Sequence, residues 1–158
     1  MENKTRCAWC EKDDLYRNYH DNEWGKPVYD DATIFEFLIL ETFQAGLSWY
    51  TVLAKRENFR KAFDNFDLMK IANYSEDKMD ALAEDTGIIR NKLKIKATVT
   101  NAQAFIKVQE EFGSFSKYIW GFVDGKPIDN KPKTLSEVKA TTPISDALSK
   151  DLKKRGFK

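Results

Sequence analysis

The chain is short of the residues that staple or break structure. Of its 158 residues, two are cysteine, seven glycine, four proline and one histidine. Cys7 and Cys10 lie three apart and cannot build the disulfide framework of a small secreted domain. So little glycine and proline excludes a fibrous or low-complexity chain. No apolar run approaches the roughly 18 residues of a membrane span. The start, Met1-Glu2-Asn3-Lys4-Thr5, has no apolar stretch of the kind a secretory signal carries. These absences point to a cytoplasmic protein with no membrane partner. Neither sign of charge dominates: 26 Lys and Arg against 25 Asp and Glu leave a formal net charge of +1. That excludes a polybasic protein bound to its partner by bulk charge, but not one with a local basic face. With one histidine, any imidazole chemistry must use His20.

What is abundant is aromatic and helical. Four Trp, six Tyr and eleven Phe make 13% of the chain, and apolar residues recur with helical rather than alternating spacing. An all-α fold is expected, in one domain over 1–158. Its parts are an irregular arm over 1–30 with one short helix, a helical core over 31–115 and a carboxy-terminal helical part over 116–158. Asp31 is expected to cap a helix that is apolar nearly all round from Ile34 to Phe43. Ala45-Gly46-Leu47 should break it, and Ser48 should cap a helix running from Trp49 to about Phe63. Another helix begins at Ser75-Glu76-Asp77. A long one should run from about Asn91 to Phe112 and stop at Gly113. Thr134-Leu135-Ser136-Glu137 has capping-box spacing, and Ser145 should cap the last helix.

Four features carry chemical interest, each with a plainer alternative. Cys7-Ala8-Trp9-Cys10 with His20 offers thiolate and imidazole, the ligands zinc favours. The alternatives are a thiol–disulfide pair, which lacks its usual βαβ setting, or two ordinary reduced thiols. Trp9, Tyr16, Tyr19 and Trp24 place four large aromatics in a polar stretch, able to stack on a base or hold a cation; they could equally wrap the core. Glu41 sits in the most apolar helix, where a carboxylate is costly to bury unless it has a partner or a task. Finally, Thr86-Gly87 between two helices, followed by Arg90, Lys92, Lys94 and Lys96, sets cations and free backbone N–H groups at a turn. A helix-hairpin-helix holds a DNA phosphate this way, without reading sequence; a solvated basic surface is the alternative.

Taken in order, the chain's less common words resemble one family over essentially its whole length. They are Arg6-Cys7-Ala8-Trp9, Tyr19-His20-Asp21-Asn22-Glu23-Trp24-Gly25, Leu40-Glu41 with Gln44-Ala45-Gly46-Leu47-Ser48-Trp49, Lys55-Arg56-Glu57-Asn58, Gly87-Ile88-Ile89-Arg90-Asn91-Lys92, and Lys153-Lys154-Arg155-Gly156-Phe157. The chain is similar to the bacterial 3-methyladenine DNA glycosylase I family, a branch of the helix-hairpin-helix DNA glycosylases. The resemblance implies a monofunctional, monomeric enzyme that flips 3-methyladenine out of alkylated double-stranded DNA and hydrolyses it away. A non-catalytic helix-hairpin-helix DNA-binding module is the alternative. By resemblance Glu41 is the pocket carboxylate that recognises the base. Tyr16, Tyr19 and Trp49 are its aromatic walls, with Trp9 and Trp24 beside them. Gly46 and Leu47 fill the gap a flipped nucleotide leaves, and Gly87, Arg90 and Lys92 belong to the hairpin at 86–92. The resemblance also implies a structural zinc on Cys7 and His20, completed in the family by a His and a Cys beyond the Lys-Arg-Gly-Phe segment. This chain ends at Lys158 without them, which makes Cys10 a candidate third ligand.

Overall fold

A computed structural model describes residues 5–158. Among these residues the chain forms nine α-helices and no strand. The arm is more ordered than its composition suggests. A single 3₁₀ turn at Ala8–Cys10 leads into α1, Asp14–Asn22. The Asp13 carboxylate starts α1 by accepting the Tyr16 amide, as an N-cap aspartate does.

The central helix is α2, Asp31–Phe43. Its cap is Asp30, which accepts the Thr33 amide, one residue earlier than expected. Asp31 is instead spent on a neighbour. Its carboxylate accepts the Phe115 and Ser116 amides, 2.9 and 2.8 Å away, and so caps α8, Phe115–Trp120. The helix expected over Trp49–Phe63 is two, α3 (Trp49–Leu53) and α4 (Arg56–Ala62), bent at Ala54–Lys55. The short α5 is Leu68–Ala72.

The hairpin is α6 (Glu76–Ala83), a turn, and α7 (Lys92–Phe112). Leu82, Ile88 and Ile95 anchor it in the core from its first helix, its turn and its second helix. Along α7 the buried residues Ile95, Val99, Ala102, Phe105 and Val108 repeat every three or four positions, one face of a helix. That face packs on α2, α5, α6 and α8. Burying a phenylalanine or leucine side chain here is worth roughly 1.5–3 kcal/mol, and Phe35, Phe43, Phe59, Phe63, Phe105 and Phe115 are fully enclosed. Gly113 ends α7 at φ +88°, a backbone state glycine adopts without cost. The 134–137 segment forms only a 3₁₀ turn. The last helix, α9, is Pro143–Lys154; Thr142 caps it, with Ser145 returning the bond from the third position.

Candidate active site

The site is built where α1 lies against the start of α3. Tyr16, Tyr19 and His20 share one face of α1, being three and four residues apart. Trp9 reaches that face from the 3₁₀ turn, with ring centroids 5.0 Å from Tyr16, 6.4 Å from Tyr19 and 5.3 Å from His20. Trp24 stacks on His20 at 5.3 Å and meets Trp9 edge-on at 5.3 Å. Trp49 comes from α3 to stand 5.7 Å from Tyr19. The structure thus brings together all five aromatic residues singled out in the sequence. It adds Tyr50, 5.2 Å from Tyr16.

Two polar ties clamp this wall to α3 and α4. At one end the Tyr50 hydroxyl donates to Asp13, the residue that caps α1. That hydrogen bond is the main cause holding the Asp13 carboxyl below, and the Tyr50 phenol above, their ordinary values. At the other end Arg56 grips the Glu23 carboxylate with two bonds of 2.6 and 2.9 Å, the fork geometry that fixes direction as well as distance. Arg6 holds Asp21 in similar fashion, and Asp21 meets His20 Nδ1 at 3.0 Å. None of Tyr50, Asp13, Arg56 or Glu23 was marked as functional by the sequence reading. The readable signals were an aspartate one residue before a helix start and a tyrosine beside Trp49.

Glu41 lies on the last turn of α2, and here an expectation needs correcting. Its side chain is exposed, not enclosed among apolar neighbours. Helix rotation explains this: Leu40 and Phe43 turn into the core while position 41 turns out beside the wall. The surrounding protein still withdraws enough water to raise its carboxyl above the usual range. Its charge is also felt across the wall. Burial first, and the Glu41 carboxylate second, push the Tyr19 phenol up to about 12. Tyr19 is therefore a neutral O–H donor across the whole physiological range.

Trp49 contributes a further donor. Its indole N–H is buried and has no hydrogen-bond partner among the described residues. An unused buried donor costs roughly 1–3 kcal/mol, so one retained at the rim of a ring-lined hollow is poised for an acceptor on a ligand. Glu41, Tyr19 and Trp49 can together offer a negative charge, an O–H, an N–H and π-faces to one planar cation. An apolar cavity of about 840 Å³ opens elsewhere, between Val28, Ile34, Trp120 and Leu148, but no acid, histidine, tyrosine or cysteine lines it.

Beside Glu41 the chain turns at 44–48. Gly46 takes φ +79° with open space where a Cβ would stand, so the turn's need there is backbone conformation, not room. Gln44 braces the turn twice: its carbonyl accepts the Leu47 amide at 2.7 Å and its side chain donates to the Leu47 carbonyl at 3.1 Å. Leu47 is left exposed at the tip. In the hairpin, Gly87 is required for closeness: a Cβ would stand 3.1 Å from Asp85 Oδ1 and 3.4 Å from Asn58. Its amide already donates to Asp85 at 2.8 Å. The amides of Thr86, Ile89, Arg90, Lys92 and Leu93 have no hydrogen-bond partner among the described residues. The Arg90 and Lys92 side chains are exposed and have no ion-pair partner among these residues. Lys94 differs. It donates to the Phe43 and Ala45 carbonyls, so its charge is spent inside the protein.

Cys7, Cys10 and His20, the donors expected for zinc, do not gather as a set of three among the described residues. Cys10 is buried, with Sγ on the Cys7 carbonyl oxygen at 3.1 Å. His20 is held between Trp9 and Trp24. Among the described residues no three His, Cys, Asp or Glu side chains gather around one point. Cys7 and His20 alone do not close the four-ligand shell of a structural zinc. Burial also raises the Cys10 thiol, which makes it a poor thiolate nucleophile and removes support from the thiol–disulfide alternative.

Known proteins are similar to this chain in sequence and in fold. A family model described as methyladenine glycosylase matches residues 9–158. DNA-3-methyladenine glycosylase 1 of Escherichia coli K12 is 48% identical over 153 residues, which are 97% of this chain and 82% of that protein. A DNA-3-methyladenine glycosylase of Haemophilus influenzae is also 48% identical, over 97% of this chain and 83% of its own length. A tyrosine-to-phenylalanine variant of 3-methyladenine DNA glycosylase I, solved in complex with 3-methyladenine, superposes with a TM-score of 0.93 at 39% identity, covering 98% of this chain and 83% of that one. The chain belongs to the methyladenine glycosylase family.

Proposed function

We propose that this protein removes 3-methyladenine from alkylated double-stranded DNA by hydrolysis, leaving an abasic site for base-excision repair. It acts in the cytoplasm as a monomer, since every group the reaction uses comes from one chain. The observation that carries the reading is Glu41 beside a wall of indoles and phenols, close enough to help hold Tyr19 protonated. Relatives that bear the same name support the substrate.

Methylation at N3 makes the adenine cationic, and a cationic base is already a good leaving group. The protein therefore needs selectivity more than catalytic force. A cation over electron-rich rings gains about 0.5–2 kcal/mol, depending on desolvation, and the Glu41 carboxylate adds charge-assisted hydrogen bonding. Neutral adenine earns neither. Extruding the nucleotide costs a few kcal/mol, less for a damaged, poorly stacked base; the exposed Leu47 fills the space it vacates. The hairpin holds the backbone with Arg90, Lys92 and the free Ile89 and Arg90 amides. Water then bonds through oxygen to C1′ while the C1′–N9 electron pair moves onto the purine. The purine leaves neutral and the water gives up a proton to solvent. Lys12 reaches the wall, but its ammonium lies 3.7 Å over the Tyr50 ring; no lysine is assigned a nucleophile's part, so strand cleavage is not expected.

Glu41→Gln keeps the shape and removes the charge. Release of free 3-methyladenine from methylated duplex should fall at least about 100-fold, the order that loss of one preorganised electrostatic partner costs, with the helical circular dichroism unchanged. Release at the parent's rate would remove Glu41 from the reaction. Tight duplex binding by the parent with no released base would mark a non-catalytic binding module.

A further inference from the structure

Lys94 stands where helix electrostatics disfavour it. It occupies the third position of α7, next to the positive end of that helix's dipole, where an acid is the favourable choice. No acid occurs in the first turn of α7 at all. The benefit goes to a different helix. The α2 carboxy-terminus has no basic residue of its own in its last turn, and its terminal carbonyls lack helical partners. The Lys94 ammonium donates to the Phe43 carbonyl at 2.8 Å and to the Ala45 carbonyl at 2.7 Å. Those two carbonyls flank Gln44, at the root of the turn that lifts Leu47, and Phe43 lies two residues past Glu41. On its own helix Lys94 is tied to the hairpin cap, because the Asn91 side chain accepts the Lys94 amide at 3.1 Å. One residue therefore joins the element that grips the DNA backbone to the turn that enters the duplex.

We propose that Lys94 is a positioning residue that couples hairpin engagement to placement of the Gly46–Leu47 turn, so that backbone binding sets the wedge for extrusion. It acts through that turn and touches neither base nor phosphate. The proposal rests on the glycosylase reading for its biological sense. Its first test needs no chemistry. For the parent, Lys94→Met and Lys94→Arg, the ratio of affinities for a duplex holding a tetrahydrofuran abasic analogue and for an intact duplex is measured by fluorescence anisotropy. Lys94→Met should lower that ratio about tenfold, the size of a charge-assisted hydrogen bond, while intact-duplex affinity stays near the parent's. Lys94→Arg should recover most of the ratio. Binding of free 3-methyladenine, followed by tryptophan fluorescence, should be unchanged, because a free base needs no extrusion.

An unchanged ratio in Lys94→Met would overturn the proposal. So would equal losses of abasic-duplex and free-base binding, which would mark general destabilisation. Should the parent release no 3-methyladenine while the ratio still falls in Lys94→Met, the enzymatic reading fails and the coupling stands. Should the parent excise normally with the ratio unmoved, the reverse holds.

Discussion

The molecule holds two aromatic clusters, built to opposite ends. In the core, Phe35, Phe43, Phe59, Phe63, Phe105 and Phe115 stack and cross at 4.1–6.2 Å and are sealed from solvent. At the site, Trp9, Tyr16, Tyr19, Trp24, Trp49 and Tyr50 meet at similar distances, yet Trp9 and Trp24 stay 39% and 49% exposed. The ring physics is shared. The difference is the polar handle. Phenylalanine has none and can be buried outright, whereas every tyrosine and tryptophan brings a donor that needs a partner. In the wall Tyr50 has found one in Asp13, while the Trp49 N–H has not. The first cluster holds the fold; the second forgoes part of that stability to leave an open, electron-rich face beside a carboxylate.

This contrast sets the largest expected effect. Phe105→Ala should cost about 3–5 kcal/mol, a Tm fall of about 10 °C for a chain of this size, while molecules still folded excise at a near-normal rate. Trp49→Ala removes a larger ring, yet should lower Tm by less than half as much and lower excision at least about 100-fold. Differential scanning fluorimetry beside an excision assay reads both. Equal Tm falls would erase the distinction between the clusters.

The second effect is in pH. Glu41 must be ionised to attract a cation, and its carboxyl titrates above the ordinary glutamate value, which is about 4.3. The kcat/KM of excision should therefore drop about tenfold per pH unit below that raised value, and Glu41→Gln should lack this limb. The stability sign is opposite. An acid whose pKa is raised on folding binds its proton more tightly folded than unfolded, so its stabilising contribution exists at low pH and is lost as pH rises through the folded value. Glu41→Gln should then have a higher Tm than the parent at pH 7, with the gap closing in acid. An acid limb shared by both proteins would assign it to another group.

Much of this was legible in the sequence, for reasons local to it. Ser48, Ser75, Asn91 and Gly113 announce helix ends through short-range bonds and backbone freedom. The periodic face of α7 needs only its own spacing. What escaped were decisions made by distant partners. Asp31 reads as a cap for its own helix and caps α8, more than eighty residues away. Lys94 reads as one more cation of a basic turn and is consumed by α2. Glu41 reads as buried because its neighbours in sequence are apolar, whereas its orientation is set by which side of α2 meets α7. The aromatic residues of the site were identifiable by type and by family resemblance. Their clamps, Asp13–Tyr50 and Glu23–Arg56, join positions 37 and 33 residues apart, and no local pattern marks such pairs.

The smallest effect concerns which cations meet DNA. Arg90 and Lys92 are exposed and without ion-pair partners among the described residues, whereas Lys94 is internally satisfied. Each cation that neutralises a phosphate adds about 0.9 to the slope of log affinity against log salt. The double variant Arg90→Ala with Lys92→Ala should flatten that slope by about 2, and weaken damaged and intact duplex alike because phosphates carry no sequence. Lys94→Met should leave the slope within about 0.3 of the parent's, well short of the change one phosphate contact would bring. A Lys94→Met slope flattened by a full contact would place its ammonium on the DNA backbone rather than on the α2 carbonyls.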